Sequence, residues 1–272
     1  MSESWQWTTD KFAADPWRPC YHIAAATGLI NDPNGFSFHQ GRFQLFYQWN
    51  PFGCEHKNKH WGHFSSQDLV HWQSHAAALA PTDWFDKDGC YSGTAVSNGE
   101  NLELYYTGNV RNGEQRLSYQ CKALLQPDGK VEKLGPLTIE GLDNYTGHVR
   151  DPKFFHWGEQ SWIVLGVQTL DLQGGISLLQ QQDQGWCERH YVTKDINFGH
   201  PQQAYMWECP DLLQLDDQWL LLACPQGIHS ESAEYNSTNL SGYFTVDMHG
   251  GPAELSISND FQLLDYGFEF YA

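Results

Sequence analysis

Three carboxylates, Asp32, Asp151 and Glu208, hold the same place in recurring segments of this 272-residue sequence. Asp32-Pro33-Asn34-Gly35, Ser92-Gly93-Thr94-Ala95, Arg150-Asp151-Pro152-Lys153 and Glu208-Cys209-Pro210-Asp211 each lead into an apolar run, a short turn and a second apolar run. The anchors at 32, 92, 151 and 208 are 60, 59 and 57 residues apart, and a further interval of 61 reaches Glu269. Any one of these carboxylates alone reads best as the cap of its own turn. Three in register read differently, because like charges would not be gathered for stability. Positioned carboxylates do acid–base work. The composition suggests on what. Aromatics reach 15%, with 12 Trp, while charged residues are only 18%. Sugars present CH faces and hydroxyls, and their sites favour aromatic rings beside Asn, Gln, His and carboxylates. On its own the aromatic content would fit the core of an all-β protein equally well.

The elements that must position these groups read as strands. Aromatic or aliphatic runs recur at 42–49, 102–107, 161–167 and 218–223. Turn signals precede them: His39-Gln40-Gly41, Ser97-Asn98-Gly99, Trp157-Gly158-Glu159 and Asp216-Asp217. Helical periodicity is confined to the head, about 3–14. Self-similarity at this period predicts a radial array, and about 60 residues suits one four-stranded propeller blade with long loops. The first strand of each blade then lines a common axis, where the anchors converge. No linker divides the chain, so an N-terminal segment, 1–20, is expected to precede a single propeller domain over 21–272. The Gln-rich piece 180–184 reads as a surface hairpin.

Leu29-Ile30-Asn31-Asp32-Pro33-Asn34-Gly35 resembles the N-terminal signature of the β-fructofuranosidases of glycoside hydrolase family 32. The resemblance continues in order through Phe46-Tyr47-Gln48-Trp49-Asn50-Pro51, Trp61-Gly62-His63, His71-Trp72 and Gly89-Cys90-Tyr91-Ser92-Gly93. It resumes at Arg150-Asp151-Pro152-Lys153, Trp207-Glu208-Cys209-Pro210-Asp211 and Phe270-Tyr271-Ala272. It implies an all-β, five-bladed propeller of which about four blades are present, with a C-terminal β-sandwich absent. It also implies hydrolysis of sucrose or sucrose 6-phosphate with retention, through a fructosyl-enzyme. Asp32 would be the nucleophile, Glu208 the acid and base, and Asp151 the group holding fructosyl hydroxyls. Retention asks for two carboxyls ~5–5.5 Å apart, one ionised and one protonated. Crowding by Asp32 and Asp151 is expected to raise the Glu208 pKa. By the same resemblance Leu29, Ile30, Asn31, Gln48, Trp61, Tyr91, Ser92 and Arg150 contact substrate, and Trp84 could add an aromatic wall. Leu29-Ile30 stands where the family usually has Trp-Met, and Glu269 where Asp is common. A fructan hydrolase or fructosyltransferase, or an inactive sugar-binding propeller, are the other readings. If a fifth blade is missing, low stability and low activity are expected.

Composition excludes other classes. Asp plus Glu number 33 against 15 Lys plus Arg, a net charge of −18, and no basic stripe is available to meet nucleic acid. No run approaches the ~18 apolar residues that span a bilayer. The head lacks the pattern of a secretory signal. Seven cysteines, an odd number without paired spacing, fit reduced thiols, so a cytoplasmic location is expected. No cofactor is called for. Cys54, His56, His60 and His63 have spacings a zinc ion could use, but no second paired half accompanies them, so no metal is expected. Asp86-Lys87-Asp88-Gly89 lacks the acid and the offset of a calcium loop. The cationic cluster His56-Lys57-Asn58-Lys59-His60 is the best local candidate for a substrate phosphate. A partner other than a small sugar is not indicated, and oligomeric state is open.

Overall fold

A computed structural model of the chain describes residues 16–19, 22–198, 201–229, 238–267 and 270–272. The head expected to be helical and the anchor at Glu269 lie outside these residues. Strands dominate, and the two short helices among the described residues, Leu142–Asn144 and Pro252–Glu254, are single 3₁₀ turns.

Four antiparallel sheets follow one another along the chain. The first contains β1 (Leu29–His39), β2 (Arg42–Asn50), β3 (His60–Ser66) and β4 (Trp72–Ser74). The second contains β5 (Cys90–Ser97), β6 (Leu102–Asn112), β7 (Gln115–Leu125) and β8 (Val131–Pro136). Next come β9 (Ile139–Glu140), β10 (Tyr145–Trp157), β11 (Gln160–Thr169), β12 (Gly174–Gln182) and β13 (Gly185–Val192). Strands β10 to β13 form the third sheet in chain order, with β9 added parallel to β13. A small pair, β14 (Ile196–Asn197) and β15 (Pro201–Gln202), precedes the fourth sheet. That sheet holds β16 (Met206–Leu215), β17 (Gln218–Gln226) and β18 (Gly242–Asp247). The short strands β19 (Ser256–Ile257) and β20 (Gln262–Leu263) both pair with β18. These are four propeller blades, one per sequence repeat. The Gln-rich segment turns between β12 and β13, where Gln182 pairs with Gly185.

The predicted turns make the first hairpin of each blade. His39 pairs with Arg42, so Gln40 and Gly41 alone form the loop. Their φ values of 48° and 76° are both positive, the signature of the type I′ turn that matches strand twist. Trp157 pairs with Gln160 and Leu215 with Gln218 across equally short loops.

The core lies between blades. Leu104 and Tyr106 of β6 pack with Phe46 and Trp61 of the first blade, while Tyr105 between them turns to Phe154, Ile163 and Leu165 of the third. Val164 of β11 faces the fourth blade instead, meeting Trp207, Leu221 and Phe244. Successive side chains on a strand point to opposite faces. In β6 and β11 both faces are buried between blades, which is why they read as continuous apolar runs. The other face of β2 packs against Ile23, Ala25 and Trp72, and Leu220 and Leu222 of β17 stay half-buried.

The first strands of successive blades adjoin: β1 touches β5, β5 touches β10, and β10 touches β16. All four carry a bulge at the anchor. Between Ile30 and Pro33 on β1, Tyr91 and Gly93 on β5, Arg150 and Lys153 on β10, and Glu208 and Asp211 on β16, the register slips. Each slip is one extra residue, and Asp151 (φ 62°) and Cys209 (φ 47°) take left-handed backbone there. A bulge bends the strand and re-aims the side chain beside it. Repeated on every blade, it turns the anchors toward the axis.

Candidate active site

The three carboxylate anchors meet in a cavity of about 800 Å³. Asp32, Asp151 and Glu208 all line it, brought from the first, third and fourth blades. Leu29, Ile30, Asn31, Gln48, Tyr91 and Arg150, all expected at the site, line it too.

Each carboxylate has different partners. Asp32 accepts only: from Asn31 Nδ2 on Oδ1 at 2.9 Å, and from Gln48 Nε2 at 2.9 Å and Ser92 Oγ at 2.6 Å on Oδ2. Asn31 in turn accepts from the Lys59 ammonium. Three donors from two blades fix the Asp32 plane, with its face toward the cavity. Glu208 accepts two bonds from the Arg150 guanidinium on Oε1, at 2.9 and 2.7 Å. Its Oε2 accepts from Gln226 Nε2 at 2.7 Å and from the Tyr271 hydroxyl. Asp151 is buried and accepts from the Cys209 backbone N–H at 2.9 Å, with Arg150 Nε 3.9 Å away.

Electrostatics separate the acids. Burial pushes the Asp151 carboxyl up, to about 7; the Arg150 guanidinium opposes this, while Glu208 and Asp32 add to it. Carboxylate crowding thus adds to a rise in Asp151 whose main cause is burial. The neighbouring Cys209 thiol is also pushed up, by burial and then by Asp151 and Asp32, which keeps it protonated. His148 is pushed down to about 4, by burial first and then by Arg150 and Arg116. It is neutral near pH 7, and its Nδ1 accepts from Arg150 Nη1 at 2.9 Å.

A stability prediction follows for Asp151. Its carboxyl binds a proton more tightly folded than unfolded between about pH 4 and its folded value, so stability falls as pH rises through that window. Asp151→Asn removes the buried charge while keeping the shape. We expect its melting temperature to exceed the parent's by several degrees at pH 8 and to match it at pH 4 in thermal melts. An equal gain at both values would show that ionisation of Asp151 is not the cause.

Trp61 is a correction. It is 0% exposed, packed between the first and second blades, and its indole Nε1 donates to the Tyr91 carbonyl at 2.9 Å. A sugar cannot reach it; it positions Tyr91. Ser92 is likewise buried but touches Asp32 directly. Trp84, 66% exposed, stacks edge-on against Phe85 and Tyr119 and does not line the cavity. The cationic cluster splits: Lys57 is exposed and off the cavity, whereas Lys59, 4% exposed, lines it. Of the zinc spacing, His63 is buried against Gln44 and stacked on His75, while Cys54 is exposed. Among the described residues no group of three or more metal-ligating side chains comes together. Asp86, in the calcium-like segment, is buried with Lys133 Nζ at 2.5 Å and the Tyr106 hydroxyl at 2.9 Å, a structural pair.

Sequence reasoning missed Lys59 as a partner of Asn31, and Arg116, His148, Gln226 and Tyr271 altogether as site residues. Tyr271 belonged to a recognised segment, and His148 stands two residues before Arg150. Gln226 ends a second strand, and no local signal marks it.

The sequence model of the glycosyl hydrolases family 32 N-terminal domain matches residues 22–272. The chain is 44% identical over 264 residues to the sucrose-6-phosphate hydrolase of Salmonella typhimurium, covering 95% of this chain and 56% of that protein. The solved sucrose-6-phosphate hydrolase of Lactobacillus gasseri is similar at TM-score 0.82 and 32% identity, over 94% of this chain and 53% of that one. The GH32 β-fructofuranosidase of Bombyx mori, solved as a mutant in complex with sucrose, is similar at TM-score 0.81 and 32% identity, over 100% of this chain and 59% of that one. The chain thus spans about half the length of the relatives it matches. With its domain signature, its blades and its converging anchors in agreement, the chain belongs to glycosyl hydrolase family 32.

Proposed function

We propose that this chain carries the catalytic site of a retaining β-fructofuranosidase acting on sucrose or sucrose 6-phosphate. The observation that carries this reading is the convergence of three carboxylates with unlike partners in one cavity. Asp32 is the nucleophile. Its three donors hold one carboxylate face ready for the anomeric carbon, and they come from groups that do not themselves react. Glu208 protonates the glycosidic oxygen and then takes a proton from water. Arg150 and the Gln226 amide nitrogen can only donate to it, whereas the Tyr271 hydroxyl can donate or accept. A proton on Oε2 can therefore be donated to the Tyr271 hydroxyl, while Oε1 keeps both bonds from Arg150.

Asp151 holds fructosyl hydroxyls. Those hydroxyls donate to a carboxylate and favour its ionised form, so substrate binding would draw the raised value down. The negative charge then faces the oxocarbenium-like centre where positive charge develops. Leu29 and Ile30 provide an apolar wall, and Asn31, Gln48, Tyr91, Ser92 and Arg150 orient the sugar directly or through Asp32. The domain proper is residues 21–272, preceded by a segment over 1–20. Six free thiols among the described residues, of which Cys90, Cys121 and Cys224 are buried, suit a reducing compartment such as the cytoplasm.

The test is hydrolysis of sucrose and sucrose 6-phosphate by the purified chain, followed by NMR at early times. Fructose released first in the β-furanose form supports retention. Release of the α anomer would contradict it, and no hydrolysis of either sugar would leave a binding role.

A further inference from the structure

We propose that Arg116 recognises a phosphate monoester on the leaving sugar, at the rim of the cavity beside Glu208. Arg116 stands near the start of β7, lines the cavity, and lies with its guanidinium carbon 5.7 Å from the centroid of the Tyr91 ring. Its Nη1 reaches His148 Nδ1 at 3.5 Å, the same nitrogen that Arg150 contacts. The two cations are nevertheless in different positions. Arg150 is committed to Glu208, whereas Arg116 makes no ion pair among the described residues. One weak contact leaves most of its five N–H donors unused.

The backbone beneath it is built for this placement. Gly147 approaches so closely that a Cβ there would lie 2.1 Å from the Arg116 carbonyl oxygen. Ser118 Oγ donates to the Gly147 carbonyl at 2.6 Å, tying β7 to the entry of β10. Ring, histidine and locked backbone hold one face of the guanidinium and leave its edge free. Burial pushes Arg116 down from its usual value, and the pull of Tyr91 and of the more distant Glu208 only partly opposes it.

The location fits a leaving group. Glu208 must reach the glycosidic oxygen, so the leaving sugar lies on its side of the cavity, and Arg116 reaches that side through His148 and Arg150. Lys59, the other cavity cation outside an ion pair, contacts Asn31 on the Asp32 side, where the fructosyl ring lies. A chain of net charge −18 repels an anionic substrate, so selectivity needs a local cation. A guanidinium edge matches two phosphate oxygens in a fork that an ammonium cannot form.

The inference takes its substrate from the fructosidase reading, and the experiment separates the two. Steady-state kinetics of the full chain are compared for sucrose 6-phosphate and sucrose. Arg116→Gln is expected to raise KM for the phosphorylated sugar about 10- to 100-fold, as loss of a charged hydrogen bond does, and to change KM for sucrose less than about threefold. Arg116→Lys keeps charge without the fork and is expected to fall between. Equal losses on both sugars, or a parent chain that does not favour the phosphate, overturn the proposal and leave Arg116 as a support of His148. If the parent hydrolyses neither sugar, the fructosidase reading fails, and calorimetric titration with glucose 6-phosphate and glucose decides the phosphate site. Tighter binding of the phosphate ester that Arg116→Gln abolishes supports it. Equal binding, or no binding, overturns it.

Discussion

Asp32→Asn is expected to reduce kcat for sucrose by about 10⁴-fold or more, the scale of losing a covalent nucleophile. The amide is isosteric, and the Asp32 pocket offers three donors, so the substitution is a test of chemistry with little change of shape. An amide oxygen can still accept from Gln48 and Ser92. Its NH₂, however, must then face Asn31 Nδ2, donor against donor, unless Asn31 flips and gives up its contact with Lys59. The fold should therefore survive with a modest loss of stability, because one polar contact is disturbed in a cavity open to water. Substrate binding should be retained. Intrinsic fluorescence titration with sucrose, alongside thermal melts, separates the outcomes: near-parental binding and melting with no turnover assigns the nucleophile. Near-normal turnover would remove Asp32 from that role.

Why so much of the arrangement was legible follows from where each strand sits. The second strands β2, β6, β11 and β17 contain the four apolar runs: blades cover β6 and β11 on both faces, while β2 and β17 each pack one face on a neighbouring blade. Outer strands carry a weaker signal. β4 is three residues long with two of them exposed, and β8 alternates only partly, so neither stood out from loop. The anchors were legible through their spacing, yet spacing does not reveal how they turn inward. The bulges do that, and a bulge depends on a slip between two strands, a property of the pair.

The same distinction separates the site residues that were recognised from those that were not. Asp32, Asp151 and Glu208 lie in contiguous segments with recognisable neighbours. Gln226 and Tyr271 reach Glu208 across the fourth blade, 18 and 63 residues away in sequence. Trp61 fails in the opposite direction. Its segment is recognisable, but a Trp inside a strand with both faces covered has no route to the ligand, and its role is to hold the Tyr91 backbone. A motif marks the neighbourhood of a site without stating which of its side chains touches substrate.

Glu208→Gln should give the second large effect, and its size should depend on the leaving group. Loss of a general acid costs about 10²- to 10⁴-fold when the departing oxygen needs a proton, as the glucosyl oxygen of sucrose does. A fructoside whose leaving group departs as a stable anion, such as a nitrophenolate, needs no proton in the first step. For that substrate the first step should be nearly spared, and the fructosyl-enzyme should accumulate, because the second step still needs a base to activate water. The expected signature is a rapid burst of nitrophenolate followed by slow turnover, with mass spectrometry finding one fructosyl unit attached to the protein. The amide also changes the local balance of charge. Arg150 loses the acceptor of its two bonds at 2.9 and 2.7 Å if the NH₂ faces it, so the amide oxygen should keep that side. Its NH₂ then confronts Gln226 Nε2, which must flip, while the Tyr271 hydroxyl can turn from donor to acceptor. With Arg150 still held, Asp151 keeps its cationic neighbour and loses an anionic one, since Glu208 is among the groups that raise it. Asp151 should accordingly titrate at lower pH in the variant, visible as a downward shift of its carboxyl carbon titration by NMR. A burst of equal size with sucrose and the activated fructoside, or no burst with either, would take the acid and base role away from Glu208.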